Sequence, residues 1–168
     1  SPIRKLIPYS QEAEKKGITV FKLNIGQPDI ATPAAFMDAI RNYDNDVIAY
    51  AHSQGIQPML DSLVKYYKKF DIPLEKEDLI VTTGGSEALI FAMMTIANPG
   101  DEVIIPSPFF TPYPGQVKLA RGVPVFVNTY FEDEFAIQPE ALEKAITNRT
   151  KAIIVNTPAN PTGVCLSR

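Results

Sequence analysis

A short apolar run, Leu79-Ile80-Val81-Thr82-Thr83, passes through Gly84-Gly85 straight into Ser86 to Ala97, a stretch of helical length built from helix-forming residues. This reads as strand, glycine turn, helix, and the chain beyond it keeps alternating. Pro99-Gly100-Asp101 breaks the helix before Glu102 to Ile105, and Pro124 to Asn128 and Lys151 to Asn156 predict two more strands. Helical segments fall between them at Tyr113 to Ala120 and Pro139 to Ile146. Upstream, Thr32 is placed to cap a helix over Pro33 to Tyr43, with the proline in its first position, where a missing N–H costs nothing. Ile56, Met59, Leu60, Leu63, Val64 and Tyr67 recur at three-four spacing and predict a second helix ending near Phe70. Strands alternating with helices predict an α/β fold, a mostly parallel sheet with flanking helices, whose ligands gather at the carboxyl ends of the strands.

The chain has 168 residues, enough for one real core but hardly two, since a domain runs to roughly 100 to 200 residues. Fifteen residues are proline, well above the usual ~5%, but they sit as punctuation between apolar segments. With no internal repeat and no Gly/Ser linker, the expected boundary lies near Ile30 to Pro33. Residues 1–32 are then an amino-terminal arm or small-domain segment, and 33–168 the main unit. A composition 45% hydrophobic and 21% charged excludes disordered and collagen-like chains. Sixteen Lys+Arg against 19 Asp+Glu leave a net charge of -3, without the basic excess that nucleic acid requires of a partner. The longest mainly apolar stretch, Ala88 to Ala97, is about half the ~20 residues that span a bilayer, and no charged-then-apolar leader opens the chain. The expectation is a cytoplasmic location with no membrane partner. The one cysteine, Cys165, cannot close a disulfide within the chain, and with His52 as its sole histidine companion no metal set emerges.

Three segments could carry chemistry. At Thr82-Thr83-Gly84-Gly85-Ser86-Glu87 free N–H groups meet the positive end of a helix dipole, and glycines let a phosphate approach the backbone. No Gly-Lys-Ser/Thr follows and the third glycine of the dinucleotide fingerprint is absent, so neither nucleotide motif applies. Glu87 suits the dipole but would repel a phosphate, so its carboxylate should turn away, leaving the amides and the Ser86 hydroxyl as donors. Alone, the segment is better read as a plain tight turn. Ser107-Pro108-Phe109-Phe110-Thr111-Pro112-Tyr113-Pro114 follows a predicted strand and could offer a flat ring to a planar ligand, or could simply fill core. Asn156-Thr157-Pro158-Ala159-Asn160-Pro161-Thr162-Gly163 also follows a predicted strand. Asn160, before proline, is pushed to an extended backbone from which its amide could face a ligand. Bland loops use the same residues.

Taken in order, with Leu23-Asn24-Ile25-Gly26-Gln27-Pro28-Asp29 upstream and Tyr50-Ala51-His52-Ser53-Gln54-Gly55 between, these motifs resemble the class I/II aminotransferases, fold-type-I pyridoxal-phosphate enzymes. The resemblance covers about Ile18 to Gly163, and the aspartate-aminotransferase-like branch is the nearest in pattern. It implies the amino-terminal part of a large pyridoxal-phosphate-binding domain, with the sheet incomplete within this chain. It implies that Gly84, Gly85 and Ser86 hold the cofactor phosphate, and that Phe110 stacks on the pyridine ring where many relatives carry tryptophan. Asn160 would bond the phenolic oxygen of the cofactor. Gly26 would line the substrate pocket, and Tyr50 would reach the cofactor phosphate of the neighbouring subunit in a homodimer. The partners it implies are an amino acid and a 2-oxo acid.

Asn156 is expected to fix the loop backbone, His52 to be structural, and Cys165 to have no role. The family's covalent lysine, its carboxylate on the pyridine nitrogen and its arginine for the substrate carboxylate all follow the Asn-Pro-Thr-Gly loop. No catalytic residue is therefore expected within this chain, which should not complete the reaction by itself. Other fold-type-I activities, a β-lyase or a synthase, share every motif quoted. A non-catalytic fragment that binds phosphate or dimerises is the reading from a different class.

Overall fold

The computed structural model describes residues 2–166. Helices α1 (Ile7–Lys15), α2 (Ala34–Arg41), α3 (Gln57–Lys68) and α4 (Gly85–Ile96) precede the first strand. Strand β1 (Glu102–Ser107), helix α5 (Tyr113–Leu119), strand β2 (Val123–Asn128), helix α6 (Pro139–Ala145) and strand β3 (Thr150–Ile153) then alternate, giving the expected α/β architecture. The strands form one parallel sheet, open at both edges, in the order β2-β1-β3.

In β1, Val103, Ile104 and Ile105 are each at most 1% exposed. A continuous apolar run of this kind belongs to a parallel strand covered on both faces. Val103 and Ile105, two apart and so on one face, join Met93 of α4, Tyr113 and Val117 of α5, and Ala120 in the core. From β1 the chain crosses through α5 to β2, then returns through α6 to β3 on the other side of β1. The strand order thus reverses beside β1. At such a switch the loops leaving neighbouring strands part in opposite directions, opening a crevice outside the carboxyl ends.

Contacts divide the chain into a unit that runs to Ala49 and a unit that begins at Tyr50. The expected boundary near Ile30 to Pro33 falls inside the first of these. That unit holds α1, which the sequence did not announce, and α2; neither helix buries a side chain. The second unit contains the sheet and the core.

The local differences from expectation have physical causes. Pro33 is the cap residue of α2 rather than its first helical residue, with ψ 133°, and no side chain caps that end. Helix α3 stops at Lys68 because Asp71 takes a left-handed φ of 56°. Strand β3 ends at Ile153, although the Ile154 N–H still donates to the Ile104 carbonyl at 2.9 Å. Leu79 to Thr83 is extended but is not a strand of the sheet. Leu79 is buried while Ile80 is exposed, as a strand would have them. A ladder also needs a neighbour offering successive hydrogen bonds. Here the neighbour offers one: the Val81 N–H donates to the Gln54 carbonyl at 2.8 Å.

Candidate functional site: the glycine turn and the crevice

The extended run from Leu79 delivers the chain into the turn that opens α4. Gly84 has φ 78°, a left-handed conformation that a side chain would strain, so glycine is the residue this corner admits. The turn is closed by the Gly84 N–H donating to the Thr82 carbonyl at 2.9 Å and by the Thr82 hydroxyl donating to the Gly84 carbonyl at 3.1 Å. Helical bonding starts only with the Ala88 N–H, which donates to Gly84 at 3.5 Å. The amides of Gly85, Ser86 and Glu87 precede it and have no partner within the helix. Glu87 turns its carboxylate back to accept from the Thr83 N–H at 2.6 Å. The negative charge is thereby tied to the backbone before the turn.

Whether a phosphate fits can be read from the space around these amides. A Cβ built on Gly84 or on Gly85 meets nothing within 4 Å, and both residues are exposed. An anion can therefore reach the backbone, where the free donors and the helix dipole favour it. The Ser86 hydroxyl is exposed beside them. The donor set fits a phosphate group.

The crevice at the carboxyl ends of β1 and β3 is lined by Ile105, Phe109 and Tyr113 on one side and by Ile154, Asn156 and Asn160 on the other. Thr162 and Phe135 add to its wall. The loop carrying Asn160 is closed by paired backbone bonds, Ala159 N–H to the Val164 carbonyl at 2.8 Å and Gly163 N–H to the Ala159 carbonyl at 2.7 Å. Burial pushes the Tyr113 phenol above its ordinary pKa, so at neutral pH it is an uncharged hydrogen-bonding group.

The expected site residues are distributed as follows. Asn160 lies in the crevice, and so does Asn156, which the sequence assigned only to the backbone. Phe110 is not among the crevice-lining residues; it packs on the core and sets its ring edge-to-face with Tyr113, 5.4 Å between centroids. Its neighbour Phe109 reaches the crevice and stacks on Phe126 at 5.2 Å. The turn at Gly84, Gly85 and Ser86 lies outside the crevice lining and is tied to it through α5: the Gln116 Nε2 donates to the Ser86 carbonyl at 3.3 Å, and Tyr113 lies one turn earlier on the same helix. Tyr50 begins the second unit fully exposed, at 106% of its reference area. Gly26 lies in the first unit, with nothing within 4 Å of a Cβ built on it.

His52 accepts a local bond from the Gln54 N–H at 3.4 Å, a turn-forming role, and Cys165 is exposed. No group of acidic, histidine or cysteine side chains among the described residues could hold a metal ion. Nor is any described helix long and apolar enough to cross a membrane. The sequence reading named Tyr113 only as one aromatic of its loop and missed Gln116, although the stripe Tyr113, Gln116, Val117, Ala120 contained the signal. Its spacing is that of a buried helix face, and a glutamine on such a face needs a polar partner.

Known proteins match this geometry along nearly its whole length. The chain is 37% identical over 169 residues to a probable aspartate/prephenate aminotransferase of Rickettsia bellii, an alignment that takes in 99% of this chain and 42% of that relative. An aspartate aminotransferase structure from Thermus thermophilus superposes with a TM-score of 0.86 at 36% identity, covering 98% of this chain and 44% of that one. For an alanine aminotransferase from Pyrococcus furiosus the TM-score is 0.85 at 36% identity, over 97% and 43%. The chain thus spans about two fifths of the length of these relatives. The family model for aminotransferase class I and II matches residues 18–168, and with motifs, fold and relatives in agreement the chain belongs to that family.

Proposed function

We propose that the whole protein is a pyridoxal-phosphate-dependent aminotransferase that moves an amino group between an amino acid and a 2-oxo acid, with an aspartate-like donor. The carrying observation is the turn at Gly84-Gly85-Ser86, whose open amides and displaced Glu87 carboxylate form a phosphate seat at the start of α4. With this reading goes a proposed role in amino acid metabolism in the cytoplasm.

When bound, the cofactor would supply an electron sink for the bonds around the amino acid's α-carbon. This chain's own residues bind and orient it. The amides of Gly85, Ser86 and Glu87 and the Ser86 hydroxyl hold the phosphate, and Thr82 and Glu87 keep those amides aimed by bonding the turn from within. Asn160, from the crevice wall, donates its amide to the ring oxygen, and Phe110, packed edge-to-face against the crevice-lining Tyr113, is the ring that would have to turn out to meet the pyridine face. Tyr113, across the crevice from Asn160, stays protonated. Gly26 leaves room for the substrate. Tyr50, fully exposed and without a partner among the described residues, reaches the phosphate seat of a second copy in a homodimer.

The test is product analysis on the whole protein with aspartate and a 2-oxo acid acceptor. Acceptor-dependent appearance of the donor's 2-oxo acid supports the proposal. Turnover of the amino acid without any acceptor would contradict it and indicate a β-lyase or synthase.

A further inference from the structure

Gln116 is 5% exposed, and its side chain is a polar interruption in the apolar face that α5 presents to the core. The amide nitrogen donates to the Ser86 carbonyl at 3.3 Å. The orientation of the amide is settled by that contact, since the reverse would set two oxygens against each other. Its Oε1 is buried with no hydrogen-bond partner. Such an orphaned acceptor destabilises a fold, and one long bond to a neutral carbonyl offsets little of that. Stability alone gives no account of a glutamine here.

The Ser86 carbonyl belongs to the planar peptide unit whose other end is the Glu87 N–H, one of the three amides left free at the start of α4. A donor on that carbonyl fixes the plane of the unit and so the direction of the N–H. It also polarises the unit, making the N–H a stronger donor. Thr82 does the same for the preceding unit but one, since its hydroxyl bonds the Gly84 carbonyl, whose peptide carries the Gly85 N–H. The two free amides at either end of the turn are each held from behind.

We propose that Gln116 is a positioning residue of the phosphate seat, aiming the Glu87 N–H by holding the Ser86 carbonyl. This rests on the cofactor reading above. The test compares the whole protein with its Gln116→Met variant, which keeps the volume but removes both the donor and the orphaned acceptor. Pyridoxal phosphate affinity and the melting temperature of the cofactor-free protein are measured on both.

The expected result is an unchanged or raised melting temperature with affinity weakened roughly threefold to tenfold, the worth of one neutral hydrogen bond. If Gln116→Met binds as the wild type does, or loses stability and affinity together, the glutamine is structural and the proposal falls while the cofactor reading stands. If the wild type itself binds no pyridoxal phosphate, the cofactor reading falls and takes this proposal with it.

Discussion

Gly55 has φ 124°, and a Cβ built on it would lie 2.6 Å from Val81 Cγ2. Backbone conformation and space both demand glycine, because the Gln54 carbonyl must come close enough to accept the Val81 N–H, two residues before the turn begins. Gly55→Ala should cost about 2 kcal/mol or more of stability, read as a lowered denaturant midpoint. Gly115, with open space around it and no positive φ, should by contrast be stabilised by about 0.5–1 kcal/mol when changed to alanine. Asn160→Ala removes the crevice amide proposed to bond the cofactor ring oxygen. In the whole protein it should lower kcat/KM at least tenfold with the melting temperature little changed, and unaltered kinetics would count against its role. Asn160 was legible because a proline neighbour and a loop motif marked it. Gln116 was not singled out, since its importance lies in a contact thirty residues away.

At the level of elements, the end of the sheet far from the crevice is closed by a polar clamp. Glu102, buried at the start of β1, accepts from the Thr147 hydroxyl at 2.6 Å and from Arg149 Nε at 2.9 Å. The Glu102 N–H returns a bond to the Arg149 carbonyl at 2.8 Å. The Thr147 bond first, and then the Arg149 guanidinium, hold the Glu102 carboxyl below its ordinary value of 4.5 despite burial. The stabilisation is therefore present above that value and is lost as pH falls through the lowered one. Glu102→Gln should weaken the protein at neutral pH, with the difference from wild type shrinking once pH drops below about 4.5. A difference constant across denaturant titrations from neutral to acid pH would contradict this. Helices α2 to α6 and strands β1, β2 and β3 were readable because each rests on a local pattern of apolar runs, helical spacing and Pro or Gly breaks; α1 was not. Nor was the fate of Leu79 to Thr83, because a short apolar, β-branched run suggests an extended segment but not who supplies the neighbouring hydrogen bonds.

For the whole molecule, the two units differ in how their apolar residues are covered. In the second, the Val103 and Ile105 face of the central strand packs against α4 and α5, and truncating Ile105 to alanine should cost about 2–5 kcal/mol in unfolding free energy. In the first, Phe21, Leu23 and Ile30 stand exposed along the same stretch as Gly26, and α1 and α2 bury nothing. Sequence patterning identifies such residues as apolar but cannot say what meets them, which is why the roles proposed for Gly26 and Tyr50 rest on family membership and not on contacts. The homodimer proposed through Tyr50 predicts that Tyr50→Phe in the whole protein weakens pyridoxal phosphate binding without altering its melting temperature. Affinity equal to that of wild type would leave the exposed tyrosine without that role.

The claim on which all of this depends is that the whole protein binds pyridoxal phosphate and uses it to exchange amino groups. It is tested by titrating the purified protein with pyridoxal phosphate while following its visible absorbance, then adding aspartate, then a 2-oxo acid. The expected result is a band that appears on binding, is lost with aspartate and returns with the 2-oxo acid. A band that never forms, or that aspartate and other amino acids leave untouched, would contradict it.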